Sequence, residues 1–220
     1  MSVLSWLLRC LFVLPLIVTA ILAGGRLRSG LASDLAFPVP LNISINHGLP
    51  ISAYEAAERA LDGADPADGE AKIERAEALK LSHASSEAVL PLLTDGLARE
   101  PASAGGWTLL AELPNAPLSM RAKALGLSLQ LAPRDYWLSG RRALAGVPLV
   151  EVLSPDDKEA LLRQIHLLWS VEDFRPQLHP LLESRQGAVL VTEAFAGDPD
   201  SLRALNRWVA QDRLRSVLQR

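Results

Sequence analysis

Cysteine is almost absent from this chain: Cys10 is the only one in 220 residues. That excludes an intrachain disulfide and any cysteine-rich metal site, and it leaves the redox compartment unread. Arg9 precedes Cys10 where a lipoprotein site needs a small residue, so the thiol reads as a small apolar group facing lipid. Histidine is scarce too. His47, His83, His166 and His179 show no ligand spacing and no HExxH is present, which speaks against a dedicated metal site. Neither a GxxxxGKS/T loop nor a GxGxxG after a strand occurs, so the usual phosphate cradles are missing, and no GxSxG elbow presents a serine nucleophile. The acid pairs Asp156/Asp157 and Asp198/Asp200 fall at helix starts, where capping explains them. No catalytic, cofactor-binding or metal-binding residue is therefore assigned.

Acidic residues are missing from one end of the chain. The first 28 residues hold Arg9, Arg26 and Arg28 of the 22 basic residues and none of the 25 acidic ones. The remainder is acidic by about six charges. Such a body repels phosphate backbones, and no nucleic-acid partner is expected.

What that first segment does have is a long apolar run, "SVLSWLLRCLFVLPLIVTAILAGG", broken only by Arg9. About 20 apolar residues cross a hydrocarbon core, and residues 3–23 supply them, with Arg9 snorkelling and Trp6 at the interface. This predicts a transmembrane anchor over residues 1–25. The small residues Val18-Thr19-Ala20 and Ala23-Gly24-Gly25 leave a cleaved signal peptide as the competing reading. Positive charges nearly tie across the run. Its short leading tail favours export of the body, which places the chain in a bacterial inner membrane with a periplasmic body.

Residues 26–50 contain Pro38, Pro40 and Pro50 and no helical period, so they read as an extended linker. The alternation from Val39 to Ile45 leaves a short strand open. From Ile51 the pattern becomes helical throughout, and the fold class is all-α. Ile51, Tyr54, Ala57 and Leu61 share one face. Asp68 caps a second helix with Ile73, Ala76 and Leu79 inward. Ser85 or Ser86 starts a third, bent by Pro91, with Leu90, Leu93 and Leu97 inward.

Pro101 ends the third helix, and a fourth is expected over 103–113, with Trp107, Leu110 and Ala111 on one face. Pro117 suits the first position of a partner helix presenting Ala122, Leu125, Ser128 and Leu129, which Pro133 closes. Helix, short turn, helix and closing proline with these residues resembles a tetratricopeptide repeat (TPR). Pro133 follows Pro101 by 32 residues, two short of the family's usual repeat of about 34, and the turn between the helices lacks the usual tyrosine. The resemblance implies a TPR-like α-solenoid over residues 51–220. It also implies that Trp107 is buried between its own helix, the partner helix and the preceding one.

Beyond Pro133, Ser154 and Pro155 start a helix whose stripe is Leu161, Leu162, Ile165, Leu168 and Trp169. Asp198 and Pro199 start a last helix that buries Leu202, Leu205 and Val209 and suits the end of a solenoid. Its arginines 203, 207, 213, 215 and 220, with Trp208, fit either that role or rest on an anionic membrane. "PRDYWLSGRRAL" gathers Arg134, Tyr136, Trp137, Arg141 and Arg142 within nine residues. Aromatic and arginine side chains dominate interface hot spots, which makes these five the candidate partner-binding residues. The competing reading packs the aromatics inward and leaves the arginines to solvent.

The expected function is a non-enzymatic, membrane-anchored scaffold that binds a protein partner, in bacterial envelope assembly or polysaccharide synthesis and export. The pathway is an analogy from fold alone. The alternatives are a small envelope enzyme with a site between helices, and a secreted helical domain left by cleavage of the leader.

Overall fold

The structure, a computed structural model, describes residues 19, 21, 23–33, 49–83 and 86–218, without the side chains of 86 and 212–218. The described residues are helical or in turns, with no strand among them. Most of the predicted anchor and the 39–45 alternation lie outside them. No helix among the described residues is long and apolar enough to cross a membrane. The chain divides into two compact units, Met1–Pro101 and Ala102–Arg220.

The first unit contains α1 (Ile51–Asp62), α2 (Gly69–Leu81) and α3 (Ser86–Arg99). Asp68 caps α2 by accepting the Ala71 N–H at 3.0 Å, as its position before the helix requires. Tyr54, Ala57 and Leu61 of α1 are buried, while Ile51 of the same expected face is exposed in the first turn. Ile73 and Ala76 of α2 and Val89, Leu93 and Leu97 of α3 complete the core; Leu79 and Leu90 are half-buried. Two glycines let α2 and α3 close on each other. A Cβ on Gly96 would stand 2.9 Å from Ile73 Cγ1 and 3.0 Å from the Gly69 carbonyl.

Residues 23–33 are helical, so the extended linker read over 26–50 does not hold for its first eight residues. The prolines that suggested it lie further along, at Pro38 and Pro40, and impose nothing on this segment. Its small side chains face the α1–α2 turn: Ser29 and Ala32 are buried, and Ser29 Oγ accepts the Asp65 N–H at 3.2 Å. Ser33 Oγ donates to Glu74 Oε2 at 2.9 Å, and Arg28 donates to the Gly63 carbonyl.

The second unit opens with α4 (Ala104–Glu112) and α5 (Leu118–Leu131), followed by α6 (Tyr136–Gly146) and α7 (Pro155–Ser170). Ser103 caps α4 through the Gly106 N–H at 3.1 Å, and Ser154 caps α7 through the Asp157 N–H at 3.1 Å. Pro117 stands one residue earlier than expected, at the cap of α5 rather than inside it. Ala122, Leu125, Ser128 and Leu129 are all buried, as are Leu161, Ile165 and Leu168. A 3-10 helix (Glu172–Leu178), α8 (His179–Leu182), α9 (Arg185–Ala194) and α10 (Pro199–Leu218) follow. Asp198 caps α10 through the Ser201 N–H at 3.0 Å. Leu205 is buried beneath it, with Leu202 and Val209 at its margins.

Candidate partner-binding surface

The five candidate residues lie at the turn into α6 and along its length, and Asp135 sets their directions. Its carboxylate accepts the N–H groups of Trp137 at 3.0 Å and Leu138 at 3.4 Å, so α6 begins at Tyr136. Successive side chains then turn by about 100°. Ser139, Arg142, Ala143 and Gly146 take the inner face, while Trp137 and Leu144 point outward.

Arg142 is fully buried. Its guanidinium donates to Ser128 Oγ at 2.9 Å, the Ser128 carbonyl at 2.7 Å, the Ala132 carbonyl at 2.7 Å and Gln164 Oε1 at 3.2 Å. Ser139 Oγ donates to the same Gln164 oxygen at 2.7 Å, and Gln164 Nε2 donates to the Pro133 carbonyl at 2.7 Å. Burial pulls Arg142 down to about 10, opposed by the charge of Asp135, so it remains a cation at neutral pH. Arg142 has no surface with which to meet a partner, and its place among the candidates is withdrawn. The same inner face carries the small residues Ser139 and Ala143, and the bare Gly146 gives its space to Leu161 of α7.

Arg141 points to the flank of α6 and forms a two-toothed ion pair with Glu112 of α4, at 2.7 and 2.8 Å. Both side chains are mostly covered. Substituting Arg141 and Arg142 together would therefore report on folding rather than on recognition.

Tyr136, Trp137 and Arg134 remain at the surface. Phe174, from the 3-10 helix, stacks on Tyr136 with ring centroids 5.8 Å apart and meets Trp137 edge-on at 5.1 Å. Trp137 still exposes 52% of its surface, so the aromatics form an outward platform rather than part of the core. The 3-10 helix sits close because Gly140 has no side chain to obstruct Gln177. Arg134 is exposed and, among the described residues, forms no ion pair or hydrogen bond. It edges a groove of about 650 Å³ shared with Gln130, Asp156, Asp157, Arg163 and Gln164. Phe174 was not among the candidates, and a lone phenylalanine in "VEDFRPQL" carries no signal that would have singled it out.

A second aromatic group holds α10. Trp208 meets Trp169 at 6.1 Å and His179 at 4.5 Å, Phe195 lies 5.0 Å from His166, and Arg175 stands 4.4 Å over Trp169. His166 pairs with Asp198 at 3.5 Å, and the Ser201 hydroxyl holds the Asp198 carboxyl below its usual range. Trp208 is thus engaged within the unit, which removes it from the membrane-contact reading of the last helix.

These features define an all-helical chain whose surface offers aromatic and cationic groups. No family model, curated protein or solved structure matches it.

Proposed function

We propose that this chain is a non-enzymatic, TPR-like scaffold, anchored in a bacterial inner membrane, that binds a protein partner through Arg134, Tyr136 and Trp137. The observation that carries the reading is the platform itself. A tryptophan with 52% of its surface exposed, steadied by Phe174 and beside an unpaired arginine, has the composition of an interface hot spot. The apolar run over residues 3–23 supports the anchor. The helix pairs α4/α5 and α6/α7 support the repeat-like body, and the short tail ahead of the apolar run, rather than the nearly tied charges, supports export of the body to the periplasm. Envelope assembly and polysaccharide synthesis or export are the machines such a scaffold would serve.

The test is purification of the full chain from native membranes in mild detergent, followed by mass spectrometry. One complex is expected to co-purify with the wild type and to be lost with Arg134→Glu and Trp137→Ala combined, at an unchanged melting temperature. Retention of that complex by the folded double variant overturns the assignment of the surface.

A further inference from the structure

The tryptophan near the start of α4, Trp107, is half-buried rather than enclosed. With Leu110 it walls a groove of about 390 Å³ whose other side is α5, at Pro117, Met120, Lys123 and Leu127. Met120, Leu127 and Leu131 recur at i, i+7 and i+11, which puts them on one face of the helix. They expose 39%, 39% and 44% of their surfaces. This is an exposed apolar row about three turns long, with Lys123 between Met120 and Leu127, on a helix whose opposite face already fills the core.

Charge decides what such a stripe takes. Helix α5, "LSMRAKALGLSLQL", contains no acidic residue. Arg121 is buried and donates to the Ala111 carbonyl at 2.9 Å. Lys123 is the one charge lining the groove; it is exposed and, among the described residues, has no ion pair or hydrogen bond. A second copy laid along the same face would bring another apolar helix without a carboxylate and leave Lys123 unanswered.

We infer that the groove between α4 and α5 receives an amphipathic helix of a partner protein, with apolar residues at i, i+4, i+7 and i+11 and an acidic residue against Lys123. The apolar positions bury the α5 stripe against Trp107, and the carboxylate sets the register. This is a second surface, independent of the Trp137 platform.

The probe is a synthetic 14-residue helical peptide with leucine at those four positions, glutamate at the flanks and no tryptophan. It is titrated into the full chain in nanodiscs of zwitterionic lipid, with empty nanodiscs as the blank, while tryptophan emission is recorded. A saturable blue shift is expected with the wild type and with Trp137→Ala, and its loss is expected with Trp107→Phe. Leu127→Asp, an exposed change that leaves the melting curve in place, should weaken binding at least about tenfold. Lys123→Glu should weaken it about threefold, and a peptide with lysine in place of glutamate should recover that loss. Four outcomes overturn the inference: no saturable binding; equal affinity for both peptides in every variant; a wild-type dimer that Leu127→Asp converts to monomer; or Trp107 emission already shielded from acrylamide in the free chain. Failure here with loss of the native complex on Trp137→Ala leaves the proposed scaffold standing. The reverse result removes the platform and keeps the groove.

Discussion

Between α2 and α3 the helices meet through two bare glycines, with the Lys72–Asp95 ion pair at the periphery. Between α5, α6 and α7 they meet around a buried guanidinium that α6 supplies and that donates to groups of α5 and α7. The first arrangement depends on shape, since Gly69 and Gly96 bring backbones together and the charges stay near water. The second depends on polar satisfaction, and each acceptor around Arg142 loses a charged donor if the cation leaves, keeping only its neutral one. The lesson is that two helical units of one chain can fail for different reasons. Four of the five tryptophans, Trp107, Trp137, Trp169 and Trp208, lie in the second unit. Tryptophan emission therefore follows that unit, while far-UV circular dichroism follows both.

The largest effect is expected from Arg142→Ala. It leaves the Ser128 and Ala132 carbonyls and Gln164 short of donors and opens a cavity, costing about 3 kcal/mol or more. The emission-detected midpoint should fall by about 10 °C or more; an unchanged midpoint would show that water replaces the guanidinium and would dissolve the contrast. Next is Gly96→Leu, which forces α3 off Ile73 and should cost about 1–3 kcal/mol. Its loss should appear in circular dichroism with the emission transition in place, and a coincident shift would mean that the units unfold together.

Arg75→Ala removes the link from α2 to Glu58 at 2.8 Å and Asp62 at 2.5 Å. These partly exposed pairs are worth about 0.2–1 kcal/mol, and 0.5 M salt should shrink the difference from wild type. The smallest effect concerns Glu74, whose carboxyl is raised by burial, against the opposing hydrogen bond from Ser33. Because its folded value lies above its unfolded one, its contribution is present at low pH and is lost as pH rises through the raised value. Glu74→Gln keeps an acceptor for Ser33 without the charge. The variant should therefore gain on the wild type as pH rises from about 4 to 7, and a constant difference would show that burial does not set this carboxyl.

Helix starts were legible because their chemistry is local. Asp68, Ser103, Ser154 and Asp198 each lie within three residues of the N–H they accept. Asp135 is an equally local cap that fixes where Tyr136 and Trp137 point, but it was not read as one from the sequence, which left their inward packing open. Arg142 was not legible, because Ser128 and Gln164 lie 14 and 22 residues away. The small residues Ser139 and Ala143 on the same face of α6 were the trace available. Glu112 lies 29 residues from Arg141, beyond any local pattern. The helix over 23–33 was masked by prolines that belong to the chain after it.

The guanidinium of Arg142 also bears on how such a chain could change over generations. A modular array grows by copying or deleting one helix pair, because each module meets its neighbours through interchangeable faces. Here α5 supplies Ser128 and Ala132, α6 the cation, and α7 the glutamine that returns to Pro133. A copy of α6 and α7 inserted elsewhere would bring a buried charge without its carbonyls. A copy of α4 and α5 alone would bring the carbonyls without the charge. The block from Ala104 to Ser170 carries the cation together with all of its partners, so a copy of that whole block keeps the bolt that holds these helices intact.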